Sequence, residues 1–278
     1  MAQITTSSVS GKITANGEDV IGATIKIVHQ PSGTVYRAVT NIDGRYSIQG
    51  MRPGGPYVLE VTYVGYKNKQ VKGISLSLGQ NTVLNETLAE DAAQLEDVVV
   101  VANRNNNMRT DRAGATTSID ATHIEAIPTV SRSMNDLLKL TPQASTVGGF
   151  SVGGGNFRQS YVTVDGAAFN NAFGIGSNLP AGGSPISLDA LDQVAISITP
   201  FDVRQSGFTG GGINATTKSG TNEVHGTAYG YFRNQDMQGY QVADYEPISK
   251  TDSRYLMYGA SVGGPIIKDK LFLFFNVE

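Results

Sequence analysis

The chain has 278 residues, 33 of them glycine, with no cysteine and a net charge of −3 at pH 7. The lack of cysteine excludes disulfide scaffolds, thiolate catalysis and cysteine-ligated metal. The slightly acidic balance, without a basic cluster, argues against a nucleic-acid-binding protein. His29, His123 and His225 are too far apart in the sequence to form a metal motif. We therefore expect neither a cofactor nor a nucleic-acid partner, and the abundance of glycine favours a turn-rich β protein.

Residues 4–89 show short β-rich runs separated by turn signals. The runs carry β-branched or aromatic residues, several in alternation: "VSGKIT", "ATIKIVH", "VYRAVT", "RYSIQ" and "YVLEVTYVGY". Turns are predicted at Asn16–Gly17, Ser32–Gly33 and Pro53–Gly55, and a β-hairpin is predicted around Asn41–Gly44. About seven strands in a segment of this length predict a small β-sandwich.

The same segment resembles the carboxypeptidase regulatory-like domain family. The resemblance lies in "VSGKIT", "IGATIKI" and "VTNIDGRYSIQGMRPGGPYVLEVTYVGYK". It implies an immunoglobulin-like sandwich without catalytic activity.

Residues 90–111 have the composition of a linker, yet they contain four consecutive valines, Val98–Val101. Such a run is typical of a buried strand, whereas the acidic residues before it and the Asn- and Arg-rich residues after it favour disorder. Composition leaves three interpretations open: a last strand of the sandwich, a first strand of the next domain, or a segment that pairs with the sheet edge of another protein.

Residues 112–220 predict an α+β domain. A helix is expected after Ser131 or Ser133 as N-cap, with Met134, Leu137, Leu138 and Leu140 on one side and Pro142 as its end. Strands are expected in "SYVTVDGAAF", in "SLDALDQVAISITP" after a helical turn capped by Ser187, and in "GGGINATTKSG".

Two patterns in this domain invite an enzymatic interpretation, and neither requires one. The glycine-rich runs do not continue into a phosphate-binding loop, and they predict loops and a tight bend. Turn and capping roles explain Asp165, Asp189 and Asp192. We therefore predict that the protein is not an enzyme.

Residues 221–278 alternate apolar and polar positions over long segments. Thr227, Tyr229 and Tyr231 share one face of their strand, and Leu256, Tyr258, Ala260 and Val262 share one face of the next. In the last run, Leu271, Leu273, Phe275 and Val277 lie on one face and Phe272 and Phe274 on the other. This pattern is typical of transmembrane barrel strands.

The stretch from about 112 to 230 resembles the plug domain of TonB-dependent outer-membrane receptors as it runs into the first barrel strand. The matching motifs are "YVTVDGAAFN" and "SLDALDQVAISITPFDVRQSGFTGGGINATTKSGTNEVHGTAYGYF". The resemblance implies a plug at 112–220, the first barrel strands at 221–278 and a TonB box in the 90–111 linker. The box residues would be Glu96, Asp97, Val98, Val99, Val100 and Val101, and the candidate substrate-facing plug residues would be Phe150, Asn156, Phe157, Asn170, Asn171 and Phe173.

The fold class expected is mainly β with α+β: a sandwich, a plug and the start of a transmembrane β-barrel. The resemblance implies a transporter, Oar-like or SusC-like, that imports or exports a nutrient, peptide or glycan when TonB pulls on residues 95–102. SusC-like proteins follow the valine run with "GYGTQKK", whereas this chain has "ANRNNNMRT", which puts a glycan role in doubt. We expect the chain to be an N-terminal fragment that ends within the barrel.

The expected partners are the C-terminal domain of TonB, outer-membrane lipids around the barrel and a surface lipoprotein; the cargo stays unknown. The expected location is the outer membrane, with the sandwich and the box on the periplasmic side. The alternative is a surface adhesin or structural protein that carries an immunoglobulin-like module.

Overall fold

The computed structural model describes residues 5–90, 98–101, 116–127, 129, 132–145, 151–169, 186–198, 210–237, 239 and 251–278. The chain divides into two compact units, Met1–Lys218 and Ser219–Glu278. Within the described ranges, no helix has the length and apolar content needed to cross a bilayer.

The N-terminal part of the first unit is a sandwich of two five-stranded sheets. Its strands are β1 (Ser7–Ala15), β2 (Glu18–Asp19), β3 (Thr24–His29), β4 (Val35–Val39), β5 (Arg45–Met51), β6 (Gly54–Thr62), β7 (Lys69–Leu76), β8 (Asn81–Val83), β9 (Glu86–Leu88) and β10 (Val98–Val101). One sheet has the order β2-β1-β5, with β8 and β9 also paired to β1; the other has the order β10-β7-β6-β3-β4.

The core of the sandwich lies between the inward faces of these sheets. Alternate residues of β3 and β6 are buried, so Ile25, Ile27, Tyr57 and Leu59 have almost no exposed surface. Each large apolar side chain buried in this way contributes about 1.5–3 kcal/mol. The alternation read from the sequence therefore reflects one face packed on the core and one in solvent.

Of two hairpins that turn signals predict, the structure confirms one and contradicts the other. Asn16 and Gly17 both have positive φ, 51° and 85°, and they join β1 to β2 as a two-residue hairpin. The hairpin predicted at Asn41–Gly44 is wrong, because β4 pairs with β3 whereas β5 pairs with β1 in the other sheet. Asn41 Oδ1 accepts the N–H groups of Asp43 and Arg45, so this tight turn carries the chain from one sheet to the other.

The remainder of the first unit, which we call the central module, has a five-stranded sheet in the order β11-β16-β17-β14-β15. Only β14 and β17 run parallel among its described pairs. A second, two-stranded sheet joins β12 and β13. The strands are β11 (Thr116–Asp120), β12 (Ala144–Ser145), β13 (Ser151–Val152), β14 (Tyr161–Val164), β15 (Ala167–Ala168), β16 (Leu191–Ser197) and β17 (Gly212–Thr217).

The predicted helix corresponds to α2 (Met134–Leu138), and a second short helix, α1 (Ala121–Ala126), precedes it. Asp120 caps α1 by accepting the N–H of His123, a signal that the sequence offers and the prediction missed. Ser133 is the N-cap of α2 as expected, but α2 ends at Leu138 and Leu140 is 47% exposed. Leu140 therefore does not belong to the buried face that Leu137 and Leu138 form.

The second unit is a three-stranded antiparallel sheet of β18 (His225–Asn234), β19 (Arg254–Ile267) and β20 (Leu271–Val277). β19 extends through "GGPII", so only Lys268–Lys270 separate it from β20. All three strands follow the predicted alternation.

Candidate functional site

The valine strand, Val98–Val101, forms β10 at the edge of the second sandwich sheet. It pairs in parallel with β7, with Val98 opposite Lys69 and Val101 opposite Lys72. β7 pairs with β6 on its other side, and the opposite edge of this sheet is β4. Of the three interpretations left open by composition, the structure therefore shows the valine strand docked on the sandwich.

The surroundings of that edge are charged and polar. Lys69 Nζ lies 2.8 Å from Glu86 Oε2 and 3.0 Å from the Thr87 carbonyl oxygen, and the Lys67 N–H donates to the Ala89 carbonyl. Glu90 forms a β-bridge with Tyr66. The chain is thus held against the start of β7 up to Glu90, and Glu96 and Asp97 lie outside the described residues.

The sandwich contacts the central module at the loop after β7. The Leu78 N–H donates to Gln193 Oε1 on β16, and both residues are 2% exposed. Leu78 also packs against Ala195 of the same strand. The first unit therefore joins its two parts through a buried polar and apolar contact.

A second contact between these parts is electrostatic. A Cβ added to Gly54 would lie 3.5 Å from Asp192 Oδ2, so the sandwich approaches that carboxylate closely. Burial raises the pKa of Asp192, and the positive charges of Arg52 and Lys218 oppose this shift. Arg52 belongs to the sandwich and Lys218 to the central module, so both parts contribute charge to this carboxylate.

The carboxylates of the central module have structural roles among the described residues. Asp165, at φ 49° in the turn between β14 and β15, accepts the N–H of Thr217 at 2.9 Å and its hydroxyl at 2.7 Å. Asp189 binds Arg132 Nη2 at 2.6 Å. In the described part of the chain, no group of three or more His, Asp or Glu could hold a metal ion.

The glycine-rich run before β17 fits a close backbone approach. A Cβ at Gly211 would lie 2.6 Å from Val152 Cβ and 2.8 Å from the Ser197 carbonyl oxygen. Such a contact leaves no space for a side chain, and it agrees with the predicted tight bend.

Four of the six predicted substrate-facing residues lie outside the described residues: Phe150, Asn170, Asn171 and Phe173. Asn156 is exposed, and its Oδ1 accepts the N–H of Arg158 at 3.0 Å. Phe157 begins the 3₁₀ turn Phe157–Gln159. Asn156 and Phe157 are thus neighbours in one turn next to β13, and a substrate role for all six remains a prediction.

The sheet of the second unit has two chemically different faces, which the register defines. One face is apolar, and each of its large side chains is at least 48% exposed: Phe232, Leu256, Tyr258, Val262, Leu273, Phe275 and Val277. The opposite face, which we call the polar face, carries hydroxyl and carboxylate groups beside the rings of Phe272 and Phe274. On it, the hydroxyls of Thr227 and Ser261 are 2.6 Å apart and the Tyr229 hydroxyl donates to Glu278. An exposed apolar face opposite a polar one is the arrangement of a transmembrane barrel wall.

Comparisons with known proteins agree with this arrangement. Residues 8–89 match the carboxypeptidase regulatory-like domain family, and residues 216–278 match an outer membrane beta barrel domain family. The TonB-dependent transporter Oar of Myxococcus xanthus is 29% identical over 252 residues, which cover 85% of this chain and 23% of that protein. Over most of its length, this chain is similar to a TonB-dependent transporter.

Two solved receptor structures align with part of this chain. The siderophore receptor PirA of Acinetobacter baumannii aligns with 55% of the chain and 22% of its own length, at 21% identity and a TM-score of 0.42. The ferric enterobactin receptor PfeA of Pseudomonas aeruginosa aligns with 55% of the chain and 23% of its own length, at 16% identity and a TM-score of 0.41.

The chain is mainly β, with an immunoglobulin-like N-terminal domain and strands of an outer-membrane barrel. Because the matched barrel family is an outer-membrane one, the chain belongs to the outer membrane. It spans about 23% of the curated relative's length.

Proposed function

We propose that this chain belongs to an outer-membrane transporter that TonB energises by pulling on residues 95–102. The observation that carries the proposal is the position of the valine strand. It is a four-residue strand at a sheet edge, joined on both sides to chain with linker composition. A segment of this kind can leave one sheet and add to another, with main-chain hydrogen bonds supplying the affinity.

The mechanism is mechanical. The central module is the plug that closes the barrel, and the sandwich and the box lie on the periplasmic side. Cargo binds at the outer loops, the box becomes available to TonB, and the pull on the box rearranges the plug. The energy comes from the inner-membrane proton gradient through TonB, so the chain itself needs no bond chemistry.

The chemical class of the cargo follows only from the subfamily. The similarity to Oar favours an Oar-like protein over a SusC-like one, and a peptide or protein cargo is more consistent with that than a glycan. The substrate-facing residues of this proposal are those of the plug loops, including Asn156 and Phe157. The barrel-family match at 216–278 supports a transporter over a surface adhesin.

A binding measurement tests the proposal. A peptide covering Leu95–Ala102 should bind the C-terminal domain of TonB, and Val99→Pro should weaken this at least about tenfold because proline removes an N–H from the ladder. Val99→Ala is the matched control, since it keeps the N–H. Calorimetric titration gives both affinities, and equal affinity of the proline and alanine peptides would contradict strand addition.

A further inference from the structure

The valine strand occupies a place on the sandwich that would otherwise be an open sheet edge. Lys69–Val71 of β7 pair with β6 on one side, and Lys69–Lys72 pair with the valine strand on the other. Without the valine strand, the main-chain groups of β7 on that side would lose their partners, which is a state that proteins usually avoid. The sandwich therefore has a complementary site for the very segment that a pulling partner must reach.

Docking restricts what a partner can recognise. The docked strand uses the main-chain groups on one of its edges to pair with β7, whereas a partner that adds a strand needs such groups free and reads alternate side chains through its own pockets. Such a partner needs the segment away from the sandwich.

The connection between the sandwich and the valine strand is short, so the docked state can compete with binding to an external partner even though the pairing covers only four residues. Residues 91–97 join Glu90, which bridges to Tyr66, to Val98. A tether of this length gives an effective concentration in the millimolar range. A weak pairing is then populated, and the apparent dissociation constant of an external partner equals its intrinsic constant divided by the fraction of the segment that is free.

We propose that the edge of β7 is a resting dock that holds the valine strand back from TonB, so that TonB and the sandwich compete for the same segment. The inference rests on the proposed function for the identity of the competitor. The carboxypeptidase regulatory-like domain thereby acquires a role, since it sets how much of the segment is available to the partner.

A disulfide across the docked pair tests this directly. The chain contains no cysteine, so Gln70→Cys with Val99→Cys introduces the only thiols. These residues are opposite each other in the register, and the Cα separation of paired strands, about 5 Å, is within the range that a disulfide spans. The control is Lys26→Cys with Glu60→Cys, an opposite pair on β3 and β6 of the same sheet.

The readout is the affinity of the 278-residue chain for the C-terminal domain of TonB, with the thiols oxidised and reduced. We expect oxidation to weaken binding at least about tenfold in the Gln70/Val99 pair and to change nothing in the Lys26/Glu60 pair. The free Leu95–Ala102 peptide should bind more tightly than the reduced chain, because it has no dock.

The outcomes separate the two proposals. If the oxidised and reduced chains bind TonB equally, TonB adds to the outer edge of the docked strand and the competition is refuted. If the peptide binds no more tightly than the reduced chain, the dock does not limit access and the inference also fails. If neither the peptide nor the reduced chain binds TonB, the proposed function itself is overturned.

Discussion

At the scale of single residues, His29 shows how burial sets chemistry in the sandwich. Its Nδ1 lies 2.6 Å from Ser32 Oγ, and its ring centroid lies 4.7 Å from that of Tyr57. Burial, followed by the charge of Arg52, lowers the pKa of His29 to about 4. The imidazole is therefore neutral in the folded sandwich at neutral pH.

This shift makes the sandwich sensitive to acid. An unfolded histidine has a pKa of 6.5, so the stability that neutral His29 provides is complete above pH 6.5 and is lost as the pH falls towards 4. The loss amounts to about 3 kcal/mol. His29→Gln should reduce the pH dependence of the unfolding free energy in this window, measured by amide exchange of β3 and β6 after correction for intrinsic rates.

His225 provides the comparison for that experiment, because its side chain is 69% exposed. His225→Gln should leave the pH dependence of the sandwich unchanged. An equal slope in the wild-type and His29→Gln proteins between pH 4 and 6.5 would show that His29 titrates normally.

At the scale of elements, the strands of the second unit separate apolar from polar side chains by register. Phe275 lies on the apolar face opposite Val262. Its neighbour Phe274 lies on the polar face beside Gly263. A Cβ added to Gly263 would be 2.9 Å from Phe274 Cδ2. Two adjacent phenylalanines therefore have different environments in a barrel wall.

Substituting each phenylalanine by arginine tests this separation. Phe275→Arg should impair membrane assembly, because an arginine on the lipid face costs about 2–4 kcal/mol near the bilayer midplane. Phe274→Arg on the polar face should assemble at close to the wild-type level. The amount of folded protein in outer membranes of expressing cells measures both, and equal impairment would show that the faces are assigned wrongly.

The same elements show how much the sequence predicts. Neighbouring residues were enough to predict the Asn16–Gly17 hairpin and the alternation of Leu271–Val277, because turn chemistry and side-chain period depend on adjacent positions in the sequence. The partner of each strand is not a local property. The hairpin at Asn41–Gly44 was wrong because tertiary pairing sent β4 and β5 to different sheets.

The candidate site shows the same limit. The valine run was recognisable as a strand, but its pairing with β7 depends on residues about 30 positions earlier in the chain. The separation of Tyr229 and Tyr231 from Leu256 and Tyr258 likewise required the β18–β19 register. Composition had no signal for the Leu78–Gln193 contact, because either residue could equally have been exposed.

At the scale of the whole molecule, that contact ties the sandwich to the central module within the first unit. Gln193→Ala should leave the buried N–H of Leu78 without its acceptor, at a cost of about 1–3 kcal/mol. The exchange of the Leu78 amide should accelerate at least about tenfold. Hydrogen exchange resolved to single amides measures this, and the exposed Gln159 supplies the control substitution, Gln159→Ala. Unchanged exchange of the Leu78 amide in Gln193→Ala would show that this contact does not hold the sandwich to the central module.

The parallel pairing of the valine strand with β7 has a mechanical consequence. A force along the strand axis strains all the hydrogen bonds of the pair together, because each lies across the direction of motion. A force at right angles to the axis, applied at one end, breaks them one after another and needs a smaller peak force. The angle of an applied force therefore sets the threshold at which this four-residue strand separates from β7, from high along the strand axis to low across it.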